Sequence, residues 1–271
     1  MSNAFEVTFL GTNGSCSFNN GNRAKYGTNT LCIAVKAGAE TLIFDAGSGL
    51  CGFAGLRDYQ QDHIRLFLSH YHIDHVNGLL FFSSFFYPSR KIDLYGIGNG
   101  ASDFLSTVNG YLSPPLHPVG LAEFKASLQF FPVSSGAVFP LSDGVTVRCH
   151  ALSHPGGSIG YRVEYGGKSL CYCTDIEFAD HQNDRDLEAF TRDTDLLIVD
   201  SFFDDGKSIP TWGHSSPNEC AEWAKRVNAK KLALFHYGFT ATDADIDALE
   251  EKARKVFPQT FASADYMRVE I

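Results

Sequence analysis

Three imidazoles and one carboxylate crowd into six residues, His70-Tyr71-His72-Ile73-Asp74-His75. They follow directly on the apolar run Ile64-Arg65-Leu66-Phe67-Leu68 and Ser69. The alternation of a strand stops there, so the cluster belongs on a loop at a strand mouth. Imidazole with carboxylate suits zinc, manganese or iron. One loop cannot complete two metal sites, so the fold has to bring further ligands to the same place.

Three residues stand where such ligands are expected. His154 follows an apolar strand over residues 145–152 and precedes Pro155-Gly156-Gly157. Asp175 ends the strand that carries Cys171 and Cys173, and His236 ends Leu232-Ala233-Leu234-Phe235. Strand ends are where an α/β architecture presents functional side chains. Other strands are expected over residues 5–9, 31–35, 41–44, 64–69, 92–95, 159–165, 169–174 and 196–200, with a hairpin turn at Gly166-Gly167.

Helical signals crowd the second half. Ser216-Pro217-Asn218-Glu219 is a capping box with proline at the first helical position. Thr242-Asp243-Ala244-Asp245 opens another helix, and the carboxylates of Asp243, Asp245 and Asp247 are explained by the helix dipole rather than by a metal. Many short strands, then helices between strands, imply two sheets packed face to face with helices outside, in a single domain over 1–271. The segment 96–138 is rich in Gly, Ser and Pro and weak in periodicity, and is expected to be a lid or substrate insertion.

The net charge of −9 argues against broad phosphate binding and leaves room for a local metal-based site. No segment reads as a signal peptide, and the longest apolar stretch, 79–87, falls far short of the roughly 20 residues that span a bilayer. The expectation is a soluble, cytoplasmic protein with no membrane partner. Seven cysteines, an odd number in a long chain, are expected to be reduced, and Cys171 and Cys173 to be small core residues. The aromatic run of Phe81, Phe82, Phe85, Phe86 and Tyr87 reads as a core helix or wall, with a pocket lining left open.

Taken together, His70-x-His72-x-Asp74-His75, His154, Asp175 and His236, in that order, resemble the metallo-β-lactamase superfamily. Asp45 in Ile-Phe-Asp-Ala-Gly-Ser-Gly looks like the family's early Asp-x-Gly element, a structural or supporting aspartate. The resemblance runs from Phe9-Leu10-Gly11-Thr12 to His236. It implies an α/β fold, a four-layer αβ/βα sandwich of two mostly antiparallel or mixed sheets with outer helices. It also implies two divalent metal ions, zinc first, with manganese or iron as alternatives. Carried over by position, one ion takes His70, His72 and His154, the other takes Asp74, His75 and His236, and Asp175 bridges. The remaining histidines, His63, His117, His150 and His181, are expected to be ordinary residues, with His117 held in reserve because of its place in the insertion.

Redox members of the family place a carboxylate where this chain has His72, so hydrolysis is the implied chemistry. Gly213-His214-Ser215 before the capped helix, and Tyr26-Gly27-Thr28-Asn29-Thr30, resemble the phosphodiesterase branch that includes tRNase Z. The expected substrate is a small or cyclic phosphodiester, attacked by a metal-bridging hydroxide. Asp74 would orient that hydroxide, and His214, beside a helix start that favours anions, would act on the phosphoryl group or the leaving oxygen. Backbone or side-chain phosphate contacts are expected from the Gly11–Ser15 loop, at Asn13 and Ser15. Nucleic acid is not favoured, because the Gly166-Gly167-Lys168 turn has no room for a tRNA-gripping arm. A tRNase Z-like ribonuclease, a thioester or lactone hydrolase and a non-catalytic metal-dependent binding module are the rival readings, and a homodimer stays open.

Overall fold

A computed structural model describes residues 4–19, 21–178, 184–207 and 209–271. The chain builds two seven-stranded sheets. The first takes β1 (Phe5–Gly11), β2 (Cys32–Ala37), β3 (Glu40–Phe44), β4 (His63–Phe67), β5 (Lys91–Ile97) and β6 (Ser127–Val133) in sequence order, and the C-terminal β14 (Arg268–Glu270) closes its near edge against β1. The second runs in the order β13 (Thr260–Ala262), β12 (Leu232–Phe235), β11 (Leu196–Asp200), β10 (Lys168–Cys173), β9 (Ser158–Tyr165), β8 (Thr146–Leu152) and β7 (Val138–Pro140). Both sheets are mixed. Antiparallel pairing holds through β14–β1–β2–β3 and β7–β8–β9–β10, and parallel pairing holds through β3–β4–β5–β6 and β10–β11–β12–β13.

Period-2 alternation sorts the strand residues into layers. Val7, Phe9, Val35, Phe44 and Phe67 of the first sheet meet Val147, Tyr161, Tyr172, Ile198 and Phe235 of the second in the central core. Ile43, Leu66 and Leu68 face the other way, against Phe82, Phe85, Phe104 and Val108. Cys171, Cys173, Leu197, Val199 and Leu234 pack beneath Trp223, Ala224 and Ile246. The result is helix, sheet, sheet, helix, the four-layer arrangement expected. Cys171 and Cys173 are buried core thiols, and the seven cysteines are free.

The helices are α1 (Ile73–Val76), α2 (Ala101–Tyr111), α3 (Arg185–Thr191), α4 (Pro217–Arg226) and α5 (Asp243–Val256). The capping box at Ser216 and Glu219 forms, as does one at Thr242 and Asp245. The acidic start of α5 is fully used by the protein. Asp243 accepts from the Lys25 and Tyr26 backbone N–H groups, Asp245 caps Thr242, and Asp247 pairs with Lys25 and Tyr26.

The segment 96–138, expected as a lid or substrate insertion, carries the end of β5, α2 and β6 as a parallel crossover, with Lys91 to Ile97 registered on Ser127 to Val133, and leads into β7. Its Gly- and Ser-rich composition hid a helix that anchors itself through only Phe104 and Val108. Residues 77–87 form two short 3₁₀ turns, Asn77–Phe81 and Ser83–Phe86, not a long helix. Phe82 and Phe85 are buried against Phe53 and Phe124, while Phe81, Phe86 and Tyr87 are exposed, so the run is a wall. No helix among the described residues is long and apolar enough to cross a membrane.

Candidate metal centre

The C-terminal ends of strands from both sheets converge on one cage. From the first sheet come Asp45 after β3 and the His70–His75 loop after β4. From the second come His154 beyond β8, Asp175 beyond β10, Asp200 at the end of β11 and His236 directly after β12. Asp45, Asp175 and His236 each leave their strand in the left-handed region, with φ of 58°, 58° and 55°. Asp and His are among the few non-glycine residue types that adopt it readily, and such strain collects at functional sites.

Seven of the expected residues meet there. Nitrogen atoms of His70, His72 and His154 form one group whose ligand-capable atoms lie within 4.8 Å of one another, and Asp74, His75 and His236 form another on the same criterion. Asp175 lies between them. Its Oδ2 is 3.2 Å from His75 Nε2, and its Oδ1 is 3.2 Å from His236 Nε2, 3.6 Å from His154 Nε2 and 4.0 Å from His70 Nε2. His236 Nε2 is also 3.5 Å from Asp74 Oδ2.

The far side of most of these rings is tied down. His75 Nδ1 lies 2.8 Å from Asp45 Oδ2, His70 Nδ1 3.0 Å from Ser69 Oγ, and His154 Nδ1 2.9 Å from the Gly213 carbonyl. Each such contact turns Nε2 inward, as the outer partners of metal-bound imidazoles do. Asp45 is fully buried and is the hub of this support: besides His75 it accepts from the Ser69 N–H, the Ser69 hydroxyl and the Tyr172 hydroxyl.

The donor set fits metal ions. His70 Nε2, His75 Nε2 and both ring nitrogens of His236 are buried with no hydrogen-bond partner. Buried polar atoms are rarely orphaned, and four in one place call for a ligand. The carboxylates shape the electrostatics. Burial pulls His236 down, but Asp175 and Asp74 outweigh it and raise the imidazole to about 10. His154 goes the other way, lowered to about 4, chiefly by burial. Burial opposes ionisation of Asp74, yet the neighbouring His75 and His236 overcome it and hold the carboxyl below the usual carboxylate range.

His214 lies at the edge of the cage. Its Nδ1 is 2.5 Å from Asp200 Oδ2 and 3.8 Å from Asp175 Oδ1, and its ring stacks on Phe202 at 4.6 Å. Asp200 escaped the sequence reading. It closes the apolar run Leu196-Leu197-Ile198-Val199 in the same manner as Asp175 and His236 close theirs, which is the signal that would have found it. The donors expected to greet an anion at the start of α4 are taken by carboxylates: Ser215 N–H by Asp200, Ser216 N–H by Glu219, Asn218 N–H by Asp205. That helix start therefore supports Asp200, and through it His214.

Of the two expected phosphate contacts, the Asn13 side chain and the Ser15 backbone N–H are engaged within the protein. Asn13 is fully buried, accepts from Arg23, and donates to the carbonyls of Cys16 and Gly14. The Ser15 N–H donates to Asp74 Oδ2 at 2.7 Å. The backbone of the Gly11–Ser15 loop thus positions a cage carboxylate. Gly14 lies against the cage: a Cβ there would sit 2.4 Å from the His236 ring. His63, His117 and His150 are elsewhere, on Asp93, the Val119 carbonyl and Phe190 respectively, and His181 lies outside the described residues.

A family model described as the beta-lactamase superfamily domain matches residues 40–237, most of the chain. The chain belongs to the beta-lactamase superfamily. Its similarity to a ribonuclease Z of Bradyrhizobium sp. (strain ORS 278) is 26% identity, covering 98% of this chain and all of the relative. The metallo-beta-lactamase fold protein YhfI of Bacillus subtilis superposes with a TM-score of 0.74 at 19% identity, each chain covered in full. The short form of human tRNase Z gives 0.66 at 21% identity, with 97% of this chain and 98% of that one covered. The protein is accordingly a metal-dependent hydrolase with the metallo-β-lactamase fold.

Proposed function

We propose that the protein hydrolyses phosphodiesters of small or cyclic substrates at a centre of two divalent cations, zinc first. His70, His72 and His154 would hold one ion, Asp74, His75 and His236 the other, and Asp175 would touch both. Such a pair supplies Lewis acidity toward phosphoryl oxygens and a nucleophile at neutral pH. The observation that carries the reading is the His214–Asp200 pair at the cage edge. A carboxylate bound to Nδ1 fixes the ring and leaves the other nitrogen to serve the substrate, the arrangement of a general acid for a poor alkoxide leaving group. Asp74, ionised and oriented by the Ser15 N–H, takes the proton of the attacking water.

Ribonuclease Z relatives support phosphodiester chemistry, since RNA is linked by phosphodiesters. A long RNA is disfavoured on this chain's own features. Gly166 and Gly167, with φ of 59° and 78°, close β9 onto β10 in a two-residue turn, and the net charge is −9. The 324-position alignment is longer than the 271 residues here, so the relative carries segments this chain lacks.

The test is a panel on metal-loaded protein: an aryl phosphodiester, a nucleoside cyclic phosphate, a structured RNA, a thioester and a lactone. Hydrolysis of the first two is expected. His214→Ala should keep its metal and lose about 10²–10⁴-fold in kcat on an alkoxide leaving group, and far less on p-nitrophenolate, which needs no proton. Turnover of the thioester or lactone alone would overturn the reading, and equal losses on both leaving groups would remove His214 from the acid role.

A further inference from the structure

Three aromatic side chains stand exposed beside the cage, each within three residues of a group that builds it. Phe18 follows Ser15, whose N–H holds Asp74. Phe239 follows His236. Trp212 precedes Gly213, whose carbonyl holds His154. Their exposures are 48%, 37% and 52%, high for large apolar groups in a chain that buries most of its Phe and Tyr. They come from separate segments and fall into two groups that flank the cage. Phe18 meets Phe239 edge-on at 6.5 Å, and Trp212 joins Phe203 at 6.2 Å. Phe203 contacts Phe202, which stacks on His214 and lies 5.6 Å from His236.

Among the described residues, the cations beside these aromatic groups are committed. Arg23 is buried and donates to Asn13 and to the Gly238 and Ala241 carbonyls. Lys207 and Lys252 both pair with Asp204. A substrate held here is therefore gripped by ring faces, with little contribution from phosphate-neutralising side chains.

We infer that Phe18, Phe239 and Trp212 are specificity-determining residues that stack on an aromatic base attached to the scissile phosphodiester, so that the preferred substrates are mono- or dinucleotide-sized esters. This rests on the phosphodiester reading above. Stacking is sequence-tolerant, because every base offers a π-face, and its strength is independent of counterion release. These rings then explain how an acidic chain binds a nucleotide without a basic groove.

Two esters with the same p-nitrophenolate leaving group separate the cases: thymidine 5′-(p-nitrophenyl phosphate) and methyl p-nitrophenyl phosphate. The wild-type protein is expected to prefer the thymidine ester by about tenfold or more in kcat/KM, consistent with aromatic stacking on a base. KM for that ester should change little between 50 and 200 mM salt, whereas several phosphate contacts would move it by orders of magnitude. Phe18→Leu and Phe239→Leu, which keep apolar bulk and remove the ring, should raise KM for the thymidine ester several-fold more than for the methyl ester. A binding readout is independent of turnover. The chain has two tryptophans, and Trp223 is buried against Phe178. Thymidine 5′-monophosphate should therefore quench Trp212 fluorescence, and Trp212→Leu should abolish the quench. Equal kcat/KM for the two esters, or a preference unmoved in both leucine variants, would overturn the inference while leaving phosphodiester hydrolysis standing. If neither ester is cleaved, the phosphodiester reading fails, and the quench alone decides for these rings: its presence supports base stacking and its absence sinks it.

Discussion

At the scale of single residues, Asp45 shows how much of a metal centre lies outside its ligands. It accepts four hydrogen bonds from three residues, and one of them sets the face that His75 turns to the cage. Asn at this position keeps the shape and tolerates the left-handed backbone. It also places an amide N–H₂ against groups that must donate to it. Asp45→Asn is expected to fold and to weaken metal binding about 10–100-fold, the usual cost of losing such an outer partner. Metal content after dialysis against a buffered chelator measures this, and a variant that keeps wild-type metal would remove Asp45 from the role. Of these contacts, the sequence showed the carboxylate in its Asp-x-Gly setting but not Tyr172, whose hydroxyl arrives from the opposite sheet 127 positions away.

At the scale of elements, the site is a set of strand ends. Those that terminate an apolar run with a His or Asp were legible, because the change from alternation to a ligating side chain is local. Asp200 has the same form, but its partner His214 lies fourteen residues on, in a loop with no periodicity. β13 and β14 are three residues each, too short to show a period, and α2 offers only two buried side chains to a pattern. The loop after β1 offered Asn13 and Ser15 as possible phosphate contacts, although a glycine-rich turn is usually no more than a turn. Here glycine serves close packing on His236. Gly14→Ala should therefore displace His236 and lower occupancy of the Asp74–His75–His236 set, with the circular dichroism of the wild type retained. Unchanged metal stoichiometry in that variant would show that the ring has room to move.

At the scale of the whole molecule, the two sheets and their end-on loops are tied together by buried polar groups that carry their own cost. Asp265, just beyond β13, accepts from the Asn29 N–H, and its Oδ1 is buried without a partner. Burial raises its carboxyl from 3.8 to about 7, against the pull of the Asn29 and Thr28 backbone and Arg23. The folded state therefore holds this proton more tightly than the unfolded chain. Its contribution to stability is full below about pH 4 and is lost as pH rises through about 7. Asp265→Asn removes that dependence, so its Tm relative to the wild type should climb between pH 4 and 8 and level off above. A difference that stays flat across that range would contradict the assignment. The overall architecture was legible from strand spacing and the ordered ligands, while the 96–138 segment was not, since its role as a crossover depends on pairing with β5 rather than on its own composition.

The central claim is a two-metal phosphodiesterase, and it is tested most directly by titrating metal-stripped protein with zinc while following both binding and cleavage of an aryl phosphodiester. Two equivalents should bind per chain, with turnover rising to its plateau only as the second is filled. Saturation at one equivalent, or a fully loaded protein that cleaves no phosphodiester, would contradict it.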